Sequence, residues 1–301
     1  MKGVIILAYG TPSSLDKVEE YYTNIRGGRR PADVEVADLV RRYKAIGGTS
    51  PLIRITESLG DKLQKRLESE GSDTRVYSAM KHSPPFIADV VSKAASDGID
   101  ELLSIALAPH YSRMSTGTYM LAVELANENL PKKKMKLHSV SSWHTLPKFV
   151  DAWAANIRLA EKKLPSDYSL VFSAHSLPKI ILAQGDPYQY ELIETSELIA
   201  KTLNKSGWSF AFQSASHTKE PWLGPDILDH LQALFDKGQK SFLIAPIGFV
   251  SDHLEILYDI DVECREWANQ RGVELARCDS FNDSDALVDC LLDLIVERHF
   301  V

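Results

Sequence analysis

Apolar residues are distributed along the chain in two alternating rhythms. Short, β-branched runs at residues 4–9, 75–80, 102–109 and 136–141, and again at 170–174, 210–214, 241–247 and 273–277, have the length and composition of buried strands. Between them apolar positions recur every three or four residues over 55–70, 85–97, 118–128, 148–163, 190–205 and 226–236, the period of amphipathic helices. Strands alternating with helices predict an α/β chain with parallel sheets. Four strands precede residues 143–148 and four follow. The expected architecture is two doubly wound lobes, 1–145 and 146–301, each a four-stranded parallel sheet flanked by helices. A final helix, about residues 284–300, is expected to pack back on the first lobe. The length of 301 residues suits two domains of about 150 each.

That architecture gives meaning to the polar residues after each strand, because ligands of open parallel sheets bind beyond the carboxyl ends. Those ends carry Tyr9 and Gly10, Lys81 and His82, His110 and Tyr111, His175 and Ser176, Gln213 and Ser214, and the segment 248–255. Groups from both halves are expected to converge on one cleft. His175, in Ser173-Ala174-His175-Ser176, offers an imidazole that can bind metal or accept a proton. A hydrogen-bonded loop histidine is the commoner meaning of such a position alone. A hydrolase triad is set aside, since no G-x-S-x-G elbow occurs. Both nucleotide fingerprints, the G-x-G-x-x-G turn and the Walker loop, are absent.

Residues 251–263 hold five carboxylates and no lysine or arginine. If helical, Glu255, Asp259 and Glu263 share a face and repel one another, which a divalent cation or protonation would relieve. A solvated acidic face is the competing meaning. Hard carboxylates behind one imidazole suit a site that admits Fe²⁺ without keeping it.

The formal charge of −7 argues against a general nucleic-acid or anionic-membrane surface. A local basic patch remains, with Arg26, Arg29, Arg30, Arg41, Arg42 and Lys44 set against Asp33, Glu35 and Asp38. Cys264, Cys278 and Cys290 form no C-x-x-C pair and read as small buried residues. No stretch is apolar for long enough to serve as a signal peptide or membrane span, so a reduced, cytoplasmic protein is expected.

Nine segments, AYGTP (8–12), YYTNIRGGRRP (21–31), RYKAIGGTSPL (42–52), KHSPPFI (81–87), LAPHYS (107–112), SAHSLP (173–178), GDPY (185–188), PWLGPD (221–226) and GFVSDHLEILYD (248–259), together resemble the ferrochelatase family across essentially the whole chain. The resemblance implies two Rossmann-like lobes with a porphyrin between them, and a lyase that inserts Fe²⁺ in haem biosynthesis. It implies that His175 and Glu255 face the porphyrin centre as the catalytic, metal-binding pair. Asp259 and Glu263 match an outer acidic ridge, read as a metal-loading or secondary, regulatory Mg²⁺ site. Tyrosine in AYGTP is the mark of the compact Gram-positive type, where protoporphyrin-using relatives usually read N-L-G-T-P. Tyr9 is accordingly expected to ligate iron in the product, and Arg26, Arg42, Tyr43, Ser50 and Tyr119 to contact the porphyrin.

Four propionates on coproporphyrin III suit the basic patch better than two on protoporphyrin IX. The expected reaction is iron insertion into coproporphyrin III to give coprohaem. The alternatives are a protoporphyrin IX ferrochelatase giving protohaem, a chelatase for cobalt or nickel, and a non-enzymatic porphyrin or haem carrier. Iron is a substrate here, no permanently bound cofactor is expected, and the cysteines that hold an iron–sulfur cluster in some members are absent. A monomer is expected, with transient contact to another haem-pathway enzyme. Gly27 stands where relatives often carry a second arginine, and segment 214–226 departs from them before PWLGPD, leaving His217 without a family role.

Overall fold

Strand β1, Lys2–Ala8, runs Gly-Val-Ile-Ile-Leu-Ala after its first lysine and is buried from Val4 onward. An unbroken apolar run of this kind needs cover on both faces, which a parallel sheet with helices on each side provides. The computed structural model, which describes residues 1–131, 133–216 and 220–301, has that arrangement twice. In the first half β1, β2 (Arg75–Met80), β3 (Glu101–Ala106) and β4 (Lys136–Val140) form a parallel sheet ordered β2-β1-β3-β4. In the second, β5 (Ser169–His175), β6 (Trp208–Gln213), β7 (Ser241–Ala245) and β8 (Glu274–Arg277) repeat it as β6-β5-β7-β8. The expected fold class is therefore the observed one. In each sheet the first strand lies where the order reverses, the position at which such sheets open a crevice. Tyr9 follows β1 and His175 ends β5, so the two occupy equivalent points of the two sheets.

Helices α1 (Val18–Ile25), α2 (Asp33–Ala45) and α3 (Leu52–Ser69) lie between β1 and β2. α4 (Ile87–Ser96) and α5 (Thr116–Glu128) flank β3, and α6 (Pro147–Ala160) connects to the second sheet, with Pro147 at its first turn. α7 (Ile180–Ala183) and α8 (Tyr188–Leu203) join β5 to β6, and α9 (Ile227–Asp236) leads to β7. α10 (Leu254–Tyr258), a π-helical turn (Asp259–Cys264) and α11 (Arg265–Arg271) lead to β8, after which α12 (Asp285–Glu297) closes the chain. Sequence periodicity does not single out α1, α2 or α7, which are short or rich in charge. The strands expected at 4–9, 102–109 and 241–247 stop earlier, at Ala8, Ala106 and Ala245, so the polar residues that follow leave the ladder.

One apolar core serves both sheets. Phe149, Trp153 and Ile157 of α6 and Leu287, Leu291 and Ile295 of α12 pack with Val4 and Ile6 of β1 and with Phe172 of β5. α12 lies against α3 and α6. Ion pairs from Arg66 to Asp289 at 2.7 Å and Lys148 to Asp293 at 2.6 Å flank it.

A buried polar cluster also joins the halves. Glu191 of α8 accepts the Tyr111 amide at 2.6 Å and the Ser142 hydroxyl at 2.8 Å, and Thr195 meets His110 Nε2 at 2.9 Å. Burial first, and the facing His144 second, hold the His110 imidazole well below its ordinary pKa, so it stays neutral. The unfolded chain takes up this proton near pH 6.5 and the folded chain does not, so stability falls with pH below that point by up to about 1.4 kcal/mol per unit. His110→Gln is expected to flatten the decline of Tm between pH 7 and pH 5; a slope equal to that of the parent chain contradicts this account.

Candidate active site

His175 is the last residue of β5, held in register with Gln213 at the end of β6. Its Nδ1 faces the Gln213 carbonyl at 3.4 Å, and Tyr188 donates to the His175 carbonyl at 3.0 Å. The Trp222 ring lies 30° from the imidazole plane at 6.5 Å between centroids.

Glu255 reaches the same place from β7. The loop after β7 passes Gly248, which lies so close to β5 that an added Cβ would stand 2.5 Å from Ala174 Cβ and 2.9 Å from its Cα. His253 then caps α10 in an extended conformation, and Glu255 falls in the first turn. Its Oε1 is 3.8 Å from His175 Nε2, and its Oε2 is 3.5 Å from His253 Nε2. These separations exceed a good hydrogen bond, so the groups face each other with lone pairs unspent. The side chains of His175 and Glu255 are 34% and 31% exposed, which leaves both within reach of a ligand. Burial opposes ionisation of Glu255, but His175, His253 and Arg42 outweigh it and draw its pKa down to about 2. At neutral pH the site therefore presents a carboxylate beside imidazoles.

Tyr9 enters from the first sheet. Gly10, at φ +97°, turns the chain out of β1, and Tyr9 packs against His82 with ring centroids 4.6 Å apart. The residue is 40% exposed. Desolvation of the phenol, followed by the nearby Glu255 carboxylate, raises it well above its ordinary pKa. His175 at the end of β5, Glu255 of α10 and Tyr9 after β1 are thus brought near one another.

The remaining expected contacts divide. Tyr43, Ser50 and Tyr119 are only 2%, 7% and 6% exposed. Tyr43 bonds Thr11 Oγ1 at 3.1 Å, two residues beyond Tyr9, and Ser50 Oγ accepts the Leu52 amide at 3.3 Å, so both make their contacts within the protein. Arg26 pairs with Glu35 and lies over Tyr22. Arg42 pairs with Asp38 at 2.9 Å and lies 5.3 Å from the Tyr258 ring centroid, which places it beside α10. Arg30 and Arg41 are likewise paired, to Glu19 and Asp38, whereas Arg29 and Lys44 enter no ion pair among the described residues. Exposed pairs of this kind are worth about 0–1 kcal/mol, so an incoming carboxylate can replace the partner at little cost.

The acidic ridge is built with an unexpected geometry. An α-helix overshoots by about 40° every four residues, whereas the π-helical turn at 259–264 is wider and undershoots. The two deviations oppose each other, keeping Glu255, Asp259 and Glu263 on one side. Asp259 is buried and bonded to the Ser214 hydroxyl. Burial, then the neighbouring Glu255 and Glu263 carboxylates, push its pKa up to about 7. Among the described residues no group of three or more histidine, cysteine or carboxylate side chains is arranged to hold a metal. His217 lies outside the described residues. The three cysteines are buried thiols, as expected.

Sequence reasoning did not give roles to His253, Trp222 or Tyr188. The signal for His253 was its place in Asp252-His253-Leu254-Glu255, at the N-cap of the helix that carries Glu255.

A family model described as Ferrochelatase matches residues 1–299. A protein named Ferrochelatase from Herpetosiphon aurantiacus is 45% identical, covering 97% of each chain. One named Coproporphyrin III ferrochelatase 1 from Bacillus anthracis is 40% identical over 98% of this chain and 97% of its own, and one from Geobacillus named Coproporphyrin III ferrochelatase matches equally well. Among solved structures, sirohydrochlorin chelatase SirB from Bacillus subtilis subspecies spizizenii, in complex with cobalt, superposes with a TM-score of 0.58 at 9% identity, covering 99% of this chain and 95% of that one. At that identity the likeness speaks for the fold alone.

Proposed function

The chain belongs to the ferrochelatase family, and from that premise we propose that its porphyrin is coproporphyrin III, its product coprohaem, and its insertion pair His175 and Glu255. The observation that carries the reading is the 3.8 Å approach of His175 Nε2 to Glu255 Oε1 in a cleft whose other wall presents Tyr9. Insertion must remove two pyrrole protons, strip water from Fe²⁺ and expose nitrogen lone pairs by bending the macrocycle. His175 takes a pyrrole proton and meets the iron, and Glu255, ionised at neutral pH, shares both tasks. A rigid cleft bends the ring at a strain of roughly 1–5 kcal/mol drawn from contacts to its periphery. Tyr9 binds iron from the opposite face once it is in the ring.

Coproporphyrin III is favoured over protoporphyrin IX by Tyr9, by the arginines at 26, 29 and 42 and by the names of several relatives. Arg26, Arg29 and Arg42 would receive its propionates, two of them by exchange of an exposed carboxylate partner. Asp259 and Glu263 would feed metal to the pair or hold Mg²⁺. Among the described residues no helix is long and apolar enough to cross a membrane. Turnover of the two porphyrins with Fe²⁺ under anaerobic conditions tests the choice. We expect kcat/KM for coproporphyrin III to be higher by about tenfold or more, which is about 1.4 kcal/mol of transition-state discrimination. Equal or reversed values refute it.

A further inference from the structure

Between the two residues of the insertion pair lies a side chain with no solvent exposure at all, Gln213. Its Nε2 donates to the Glu255 backbone carbonyl at 3.0 Å, and its Oε1 accepts from the Ser173 hydroxyl at 3.1 Å. The orientation of the amide is fixed, because a backbone carbonyl only accepts and must therefore face the NH₂. The backbone of the same residue serves the partner. The Gln213 carbonyl accepts the Ser176 amide at 2.8 Å and stands 3.4 Å from His175 Nδ1. Since that oxygen also only accepts, Nδ1 carries the hydrogen in the neutral ring and Nε2, the atom facing Glu255, keeps its lone pair. Ser214, next in the chain, is at φ +60°, a left-handed conformation that turns the chain directly after this double contact.

We infer that Gln213 is a positioning residue whose side-chain amide sets the distance between His175 and Glu255. Its amide ties α10 to the strand end that holds the imidazole, so the pair moves as one unit. A glutamine buried at a strand end merely to satisfy neighbours would affect folding; one that sets the pair affects the chemical step in folded protein. The inference rests on His175 and Glu255 being the insertion pair, and the two can fail separately. Retained insertion by His175→Ala sinks the pair itself, whereas loss there with normal turnover in the Gln213 variant sinks only this inference.

Gln213→Leu keeps much of the volume and removes both amide contacts. In the full-length chain, with coproporphyrin III and Fe²⁺, we expect kcat to fall by about tenfold while the porphyrin KM stays within about twofold. Porphyrin-binding stoichiometry, read by quenching of porphyrin fluorescence, should remain that of the parent. Ser173→Ala frees the amide without removing it and should lower kcat less, again at constant KM. Unchanged kcat in a Gln213→Leu chain that binds porphyrin normally overturns the inference, as does a fall matched by an equal loss of binding stoichiometry. If Gln213→Leu does not fold, Ser173→Ala decides: a fall in kcat at constant KM supports the coupling, and parental kcat overturns it.

Discussion

His175→Ala is expected to lower iron insertion by about a thousandfold or more while porphyrin affinity changes less than about threefold. A positioned proton acceptor alone contributes about 10²–10⁴ in rate, and in the proposed reaction this one also meets the incoming iron. Affinity should be spared because the proposed reaction leaves the grip on the macrocycle to contacts at its periphery, none of which His175 makes. The alanine leaves no buried orphan of consequence, since the imidazole is one third exposed and meets only the Gln213 carbonyl at 3.4 Å and Glu255 at 3.8 Å among the described residues. Anaerobic stopped-flow turnover, set beside fluorescence titration of porphyrin, separates the two quantities. Retained turnover would remove His175 from the chemistry and, with it, the reading of the site.

Gly248→Ala is expected to be the most damaging single-methyl addition in the cleft. The new Cβ has nowhere to go: the obstructing atoms are Ala174 Cβ at 2.5 Å and Cα at 2.9 Å, the second of them backbone. A flexible side chain could swing aside; a strand in the middle of a sheet cannot. Overpacking of this kind costs about 1–3 kcal/mol and is relieved by moving backbone. Here the segments that must part are β5, one residue before His175, and the loop that leads to Glu255. Turnover should therefore fall by about a hundredfold or more, since displacements near 1 Å are enough for such losses, together with a drop in Tm of several degrees. A variant with parental turnover would show that the pair tolerates being moved apart.

The sheets were legible because parallel strands covered on both faces carry continuous apolar runs, and 75–80 matches β2 end to end. Helix α2 was not, because its Arg41, Arg42 and Lys44 read first as a charge cluster; only its docking on Tyr258 of α10 shows what the charges do. His175 and Glu255 were legible as candidates because one ends a buried strand, the other opens the helix that follows one, and each sits in a distinctive motif. Their separation in space was not, for it depends on Gly248 and Gln213, whose roles arise from distances across strands far apart in sequence. Likewise the sequence shows that Arg26 and Arg42 are basic but not that Glu35 and Asp38 already occupy them. The π-helical turn had no sequence signal beyond acidic residues spaced by four, a spacing that an ordinary α-helix also places on one face.

Helices α6 and α12, wedged between the two sheets with Phe149, Trp153 and the nearby Phe281, have a consequence for the proposed cleft. Neither half can swing without tearing apart packing common to both, so the spacing of β1 and β5, and with it that of Tyr9 and His175, is dictated far from either residue. Were the proposed ring to sit there, its room to buckle would be set by aromatic girth at Phe149, Trp153 and Phe281.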